Sequence, residues 1–267
     1  MRKRFDRNRR PSVIVDAMET DGFAVVEGLL NGEQLKQAAA AVRQLMAEPG
    51  ETYKWIRQRT YEHFRTLPVF VDLIVHPMVI AIAQAWCGQD LHLIAAQCSR
   101  NTKDEPYFSG VTTLHQDKVF FPEKALAGVP IWRYGFTAMW YMQDTPLEMG
   151  PTQVVPGSHK RDGDDPPGDD QRVSGIMPAG SLLLFAHATW HSGALNHTDR
   201  PRDLISNAYA RPELKKVQLT TPVDGGGRYV QPDALLRPGG DMLRQLLGDR
   251  SGHAADVVCD VRRRTRR

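Results

Sequence analysis

The segment LHQDK at residues 114–118 constrains this chain more than any other part of the sequence. His115 and Asp117 are separated by one residue, so on a β-strand their side chains point to the same face. A second imidazole at His191 can complete a set of two nitrogens and one carboxylate. Such a set holds one face of a metal ion and leaves the other open, as in non-heme Fe(II) oxygenases. The sequence therefore predicts an oxygenase whose metal-binding and catalytic residues are His115, Asp117 and His191.

An arginine beyond His191 supplies a binding group for an anion. Arg202 lies eleven residues after His191 and offers a planar fork of donors that matches a carboxylate. Arg200 stands two residues earlier, separated by Pro201, and the spacing favours Arg202. We therefore expect Arg202 to bind a carboxylate co-substrate.

Two other histidines compete with His191 for the distal ligand position. His187 would share a strand face with His191, so spacing alone does not exclude it. His197 stands in an Asn-His-Thr-Asp turn, which predicts an exposed side chain. We favour His191 because it stands where an apolar strand would end.

The composition is that of a globular chain that needs no disulfide staple. It has 267 residues, 41% of them hydrophobic and 24% charged. The three cysteines, Cys87, Cys98 and Cys259, are scattered without a CxxC pair, which predicts a reducing, cytoplasmic location. No apolar run is long enough to span a membrane. The basic excess of +3 lies mainly in the two tails, and solvated ends are favoured over contact with nucleic acid.

The pattern of apolar residues changes from helical to strand-like after Gly88. An Ala-rich amphipathic helix follows Asn31-Gly32, either of which can be its N-cap, and two apolar helices are expected between Pro68 and Trp86. Short strands then alternate with turns, at residues 91–97, 111–117, 135–143, 152–155, 181–185, 189–192 and 204–210. We predict one mainly β domain over residues 1–267, a double-stranded β-helix of the cupin jelly-roll kind with flanking helices. Its parts are a helical region (about 1–88), the jelly-roll core (about 89–212) and a C-terminal extension (about 213–267).

The chain resembles the phytanoyl-CoA dioxygenase family of Fe(II)/2-oxoglutarate-dependent oxygenases, from GFAVVEGLL at residue 22 to about Ala210. The matching pieces are LHQDK, GFTAMWYMQDT, GPTQVVPGSHK, GSLLLFAHATWHSG and NHTDRPR. The resemblance implies that iron is bound by His115, Asp117 and His191 and that Arg202 binds 2-oxoglutarate. It also implies that Gln97 and Trp140 lie beside this co-substrate.

The sequence departs from the family pattern after the distal histidine. Relatives commonly carry a hydroxyl two residues past it, whereas here Ser192 is one residue past and Gly193 is second. Either the hydroxyl contact is lost or the local backbone differs. Asp117 keeps the carboxylate that halogenases of the superfamily replace, which favours hydroxylation or another oxidation over halogenation.

The resemblance implies that Fe(II), 2-oxoglutarate and dioxygen together oxidise an unactivated C–H bond of a small molecule. We predict hydroxylation in natural-product biosynthesis, such as that of an antibiotic, by a monomer or homodimer. Two alternatives stay open: the same iron chemistry giving epimerisation, oxidative cyclisation or desaturation, and a non-catalytic cupin-like binding protein. Candidate substrate-contacting residues lie in and beside the HxD segment, namely Lys118, Phe120, Tyr107, Trp132 and Trp190.

Overall fold

The computed structural model describes residues 3–47, 58–61, 67–103, 113–117, 125–161, 165–214 and 240–247. The α-helices in these ranges are α1 (Pro11–Asp21), α2 (Gly32–Ala47), α3 (Pro68–Ile74), α4 (Pro77–Cys87) and α5 (Gly240–Leu247). The strands there are β1 (Arg4–Asp6), β2 (Phe23–Glu27), β3 (Gln58–Tyr61), β4 (His92–Asn101), β5 (Gly135–Tyr141), β6 (Gln153–Val154), β7 (Val173–Ser174), β8 (Leu182–Ala186), β9 (His191–Ser192) and β10 (Arg202–Ala210).

The strands form two sheets that face each other. The larger has the order β1-β2-β8-β5-β10-β4-β3, and the smaller has the order β7-β6-β9. Val154 of the small sheet packs against Tyr141, Leu183 and Leu204 of the large one. All pairings are antiparallel except that of β1 with β2. The predicted fold class, a mainly β jelly roll with flanking helices, is confirmed.

The large sheet is buried on both faces because the helices cover the side that the small sheet does not. All nine residues of β10 are buried. Leu204 faces the small sheet, whereas Ile205 packs in the cluster that contains the apolar residues of α3 and α4. Side chains of a strand alternate between faces, so each large-sheet position is assigned either to the space between the sheets or to the helical layer.

Helix α2 begins with a reciprocal cap. The Asn31 side-chain oxygen accepts hydrogen bonds from the backbone N–H groups of Glu33 and Gln34, at 3.1 and 2.9 Å. The Gln34 side chain in turn accepts from the Asn31 N–H at 3.0 Å. This capping box identifies Asn31, rather than Gly32, as the N-cap.

The C-terminal helix α5 packs on the same core as the N-terminal helices. Leu243, Leu246 and Leu247 join the cluster between helices and sheet, and Gln245 donates to the Gln89 carbonyl at 2.5 Å. Residues 215–239 and 248–267 lie outside the described residues, as does most of the predicted extension. The division of the chain into three parts therefore stays a prediction.

Two further sequence predictions concern membranes and cysteines. In the described ranges, no single helix is long and apolar enough to cross a membrane; only α3 and α4 together, with a 43° bend between them, reach that length and composition. Cys87 and Cys98 are free and buried. Cys259 and the second basic tail lie outside the described residues, as do residues 1–2. Residues 3–10 of the first basic tail are described and contain β1. The cytoplasmic location stays a prediction.

The turn at Gly22 holds the connection between β8 and β9. Gly22 ends α1 in the left-handed region, with φ of +81°. Its carbonyl accepts from the Ala186 N–H at 2.9 Å and from the Thr189 hydroxyl at 2.8 Å. The His159 ring lies against the same glycine, and its Nε2 donates to the Glu19 carbonyl at 3.1 Å. A side chain at residue 22 would therefore displace the segment that leads into β9.

We expect Gly22→Ala to lower the free energy of unfolding by about 2–5 kcal/mol, from left-handed strain and overpacking together. An added Cβ would lie 2.6 Å from both His159 Nδ1 and Thr189 Oγ1. Urea unfolding followed by circular dichroism measures the change. Gly32→Ala is the matched control, because nothing lies within 4 Å of the added atom and its φ is not in the left-handed region. Equal free energies of unfolding for the two variants would contradict the conclusion that residue 22 has no room for a side chain.

His159 should make the fold sensitive to acid. Burial lowers the pKa of His159 to about 4 from its ordinary 6.5. Between these two pH values the unfolded chain binds the proton and the folded one does not, so stability present above pH 6.5 is lost as pH falls towards 4. We expect His159→Gln to flatten the slope of stability against pH in this window by at most about 1 kcal/mol per pH unit, after allowance for solvent screening. An unchanged slope in urea titrations at pH 4.5–6.5 would contradict this.

Candidate metal centre

His115, Asp117 and His191 meet at one point between the two sheets. One ligand atom from each lies within 4.8 Å of the other two. The segment that contains His115 pairs with β9: His115 and His191 exchange both backbone N–H···O bonds, each at 2.9 Å. The Asp117 N–H donates to the His187 carbonyl, also at 2.9 Å. Two segments that are far apart in sequence are therefore aligned by an antiparallel ladder that places both imidazoles side by side.

The hydrogen bonds of the two imidazoles leave the same nitrogen free in each ring. His115 Nδ1 lies 2.9 Å from the Thr113 carbonyl oxygen, and His191 Nδ1 lies 2.9 Å from that of Thr189. A carbonyl oxygen can only accept, so each Nδ1 carries a proton, and in the neutral form of each ring Nε2 keeps a lone pair. In its neutral form each ring thus presents Nε2 as the ligand atom.

The surroundings of His191 favour its neutral form. Burial lowers the pKa of His191 to about 4, against the opposing effect of Asp117. Its Nε2 lies 3.8 Å from Asp117 Oδ1, and its ring centroid lies 4.4 Å from that of Phe185. A neutral imidazole is the form that binds a metal. The site therefore combines the neutral imidazole of His191 with the imidazole of His115 and one partly exposed carboxylate.

The other two histidines are placed differently. His187 is fully buried, and its ring lies so close to Gly135 that a Cβ there would be 2.6 Å from it. His187 holds Asp117 through its backbone carbonyl, but it is not part of the group of converging ligand atoms found among the described residues. His197 is exposed. The geometry favours His191 as the distal ligand.

Arg202 and Gln97 face the space between the sheets. Arg202 is only 2% exposed and lies on the same strand face as Leu204. Gln97 pairs with Ser206 and shares this face, and its Oε1 is buried without a hydrogen-bond partner in the described part of the chain. Arg200, in contrast, is exposed. Burial therefore distinguishes Arg202 from Arg200, which lies only two residues earlier in the sequence.

Trp140 lies on the opposite face of the sheet from Arg202. It belongs to the cluster beneath the helices, and its ring meets that of His76 edge-on at 5.5 Å. This corrects the prediction that Trp140 lines the co-substrate pocket. Its neighbour Tyr141 faces the space between the sheets instead, and sequence reasoning missed it. The signal was the alternation along GFTAMWYMQ, which places Trp140 and Tyr141 on opposite faces but does not say which face is which.

The aromatic residues predicted to contact substrate lie elsewhere or outside the described residues. Trp190 alternates with His191 and packs with Leu114 and Val155 on the other side of the small sheet. Trp132 packs between Trp86 and His159, with both ring-centroid distances 5.7 Å. Neither side chain lies among the three converging ligands, and their contact with substrate stays a prediction. Lys118, Phe120 and Tyr107 lie outside the described residues.

The hydroxyl that follows the distal histidine points away from the metal centre. Ser192 is the second residue of β9, so its side chain lies on the face opposite to His191. Its hydroxyl lies 3.3 Å from Gln153 Oε1 and 3.4 Å from an Arg172 nitrogen. The departure noted in the sequence therefore means that Ser192 supports the outer face of the small sheet.

Comparison with known proteins agrees with this geometry. The family model of the phytanoyl-CoA dioxygenases matches residues 18–204. The dioxygenase trt7 of Aspergillus terreus is 23% identical over 205 residues, which cover 72% of this chain and 70% of that protein.

Two solved structures from nogalamycin biosynthesis share the fold. The epimerase SnoN, crystallised with Fe3+, alpha ketoglutarate and nogalamycin RO, superposes with a TM-score of 0.65 at 24% identity, covering 82% of this chain and 93% of SnoN. The non-heme alpha ketoglutarate dependent carbocyclase SnoK superposes with a TM-score of 0.62 at 20% identity, covering 78% of this chain and 87% of SnoK.

The matched range of the family model contains the HxD segment, the distal histidine and Arg202 in one jelly roll. This chain therefore belongs to the phytanoyl-CoA dioxygenase family and is an enzyme of the oxygenase class.

Proposed function

We propose that this protein is an Fe(II)/2-oxoglutarate-dependent dioxygenase that oxidises an unactivated C–H bond of a small molecule. One observation carries the proposal: two imidazoles with Nε2 free, and one carboxylate, bring ligand atoms within 4.8 Å of one another. This donor set fits a non-heme ferrous ion, because it would fill three of the six coordination positions and leave three for other ligands. In this assignment His115, Asp117 and His191 hold the iron.

The residues near Arg202 fit the co-substrate. The Arg202 guanidinium is buried, and a buried cation is stable only where an anion or other acceptors offset its desolvation. The carboxylate of 2-oxoglutarate remote from its keto group would supply that charge through two parallel hydrogen bonds. The unpartnered Gln97 oxygen faces the same space. Arg202 would thus bind the co-substrate, with Gln97 beside it.

The protein and the cofactors have separate tasks in this proposal. When bound, iron with dioxygen and 2-oxoglutarate supplies the oxidising power needed for an unactivated C–H bond. The chain would hold the metal through His115, Asp117 and His191 and neutralise the distant carboxylate through Arg202, with the Phe185 ring packed against His191. These residues would determine where the cofactors are bound, whereas the substrate-facing residues would determine which carbon lies next to them.

The leading reaction is hydroxylation in natural-product biosynthesis, and epimerisation is the second candidate. Epimerisation stays a candidate because the chain is similar to the epimerase SnoN over 93% of the length of SnoN. The site is the same in both cases, because the outcome depends on how the substrate radical is quenched. Since Trp132 and Trp190 pack elsewhere, these two residues give no support for an aromatic substrate.

Succinate formation tests the proposed activity. With Fe(II), ascorbate and 2-oxoglutarate under air, the enzyme should release succinate, faster when the correct small molecule is present. In ¹⁸O₂, a labelled oxygen in the product indicates hydroxylation, whereas a product of unchanged mass indicates epimerisation. A protein that binds iron and 2-oxoglutarate, yet releases no succinate with candidate substrates, would instead be the non-catalytic cupin-like binding protein.

We expect His115→Ala, Asp117→Ala and His191→Ala each to weaken Fe(II) binding by more than the 10- to 100-fold typical of residues that only support a ligand. Anaerobic equilibrium dialysis followed by iron analysis measures this. The exposed His197 provides the control, and His197→Ala should bind iron as the wild type does. Loss of iron from His187→Ala together with its retention in His191→Ala would show that the distal ligand is misassigned.

We expect Arg202→Gln to weaken 2-oxoglutarate binding about 10- to 150-fold, because a hydrogen bond to a charged group contributes about 1.5–3 kcal/mol. Iron affinity without co-substrate should stay unchanged, since Arg202 is not one of the converging ligands. The matched control Arg200→Gln alters the exposed neighbour and should bind normally. Calorimetric titration of the Mn²⁺-loaded proteins compares the three, and a larger loss in Arg200→Gln would reverse the assignment.

A further inference from the structure

We propose that the layer between the large sheet and the helices binds a buried water molecule, which bridges the side chains of Asn207 and Trp140. This inference goes beyond the proposed function and does not depend on iron or 2-oxoglutarate. It assigns a binding role to Trp140, which lies away from the metal centre, and to a buried amide that the sequence reasoning did not identify.

Asn207 carries a polar side chain into an otherwise apolar layer. It lies on β10 between Ile205 and Tyr209, which both pack in the helix-facing cluster. Because side chains of a strand alternate between faces, Asn207 shares that face. The side chain is fully buried, and neither its Oδ1 nor its Nδ2 has a hydrogen-bond partner in the described part of the chain. A buried amide without partners costs free energy, so a partner is expected here.

Only small side chains flank Asn207 across the sheet. Asn207 is paired with Ala96 of β4 and with Ala138 of β5, and both alanines belong to the helix-facing cluster. Each contributes a single methyl group, so no bulky neighbour from the adjacent strand positions encloses the amide. A polar site inside a protein holds water where it has room and two or more polar partners.

A second polar group without a partner lies on the neighbouring strand. Trp140 is also fully buried, and its Nε1–H has no hydrogen-bond partner in the same described ranges. Ile205 is paired with Trp140, so Asn207, two residues further along β10, is the diagonal neighbour of Trp140 on one face. Diagonal positions are about 7–8 Å apart at the backbone, within reach of an aromatic side chain. The indole and the amide can therefore approach the same small molecule.

The connection between α3 and α4 covers this part of the sheet. The Tyr209 hydroxyl donates to the carbonyl of Ile74, the last residue of α3, at 2.7 Å. The ring of His76, which caps α4, meets that of Trp140 edge-on at 5.5 Å. Asn207 lies between these two contacts along the sheet. A molecule bound beside it is therefore shielded from bulk solvent and exchanges slowly.

The chemistry of the two groups identifies the ligand. The indole N–H can only donate a hydrogen bond, and the amide oxygen can only accept one. A molecule that bridges them must accept from the first and donate to the second, and it must be small enough for a packed interior. Water meets these conditions, and buried waters typically make about three hydrogen bonds to otherwise unsatisfied polar groups.

NMR spectroscopy of the ¹⁵N-labelled protein tests the site directly. The indole signal of Trp140 is identified as the one missing from Trp140→Phe. We expect this indole proton to show a nuclear Overhauser cross-peak to long-lived water in the wild type and to lose it in Asn207→Leu. Ile205→Val is the matched control, because it removes one carbon next to Trp140 and no polar group. The control should keep the cross-peak.

Thermal unfolding gives a second readout whose sign separates the alternatives. If water joins the two groups, Asn207→Leu leaves the Trp140 N–H buried without a partner and should lower the melting temperature by about 2–9 °C. If Asn207 has no partner at all, the same change removes an unsatisfied amide and should raise the melting temperature.

Three results would overturn the inference. The first is a raised melting temperature in Asn207→Leu. The second is a wild-type Trp140 indole proton without a cross-peak to water. The third is a cross-peak that persists in Asn207→Leu, because the water is then not held by the amide. The wild-type measurement decides the question even if Asn207→Leu does not fold.

Discussion

The backbone pairing of His115 with His191 is the interaction on which the rest of the site depends. Two reciprocal hydrogen bonds at 2.9 Å align the segment of residues 113–117 with β9. Because side chains alternate on both segments, this alignment fixes three ligand atoms on one face at once. The carbonyls of Thr113 and Thr189 come from the same two segments and orient the imidazoles. The metal centre is thus a consequence of strand register more than of any side-chain contact.

The same alternation decides which polar groups reach the space between the sheets. Tyr141 faces this space and Trp140 does not; His191 faces it and Ser192 does not. A shift of one residue exchanges a phenol for an indole. The helices cover the other face, so a side chain of the large sheet is buried on either side, and its hydrophobicity does not reveal its direction.

Hydrogen bonds from other parts of the fold fix the strands and loops around the buried charge of Arg202. The turn at Gly22 attaches α1 to the connection between β8 and β9. The Asn196 side chain donates to the carbonyls of Asn101 and Arg200, which fixes the loop before Arg202 to the neighbouring strand. A cation confined in this way cannot turn to solvent, so its desolvation must be offset within the pocket.

The sequence by itself determined the fold class, the α2 and α3–α4 helices, most strands of the core and the three residues that converge. These follow from local signals: capping residues, apolar periodicity and the one-residue spacing of His115 and Asp117. β1 and β7 were not predicted, because two or three residues carry little periodicity, whereas the equally short β6 and β9 lie within longer apolar segments that were predicted as strands. Only the tertiary structure decided between Arg200 and Arg202, and between Trp140 and Tyr141. Arg200 is exposed in the loop before β10, whereas Arg202 is buried as its first residue. The choice between Trp140 and Tyr141 depends on the face of a strand that is buried on both sides, and that face is set by pairing with segments far away in the chain.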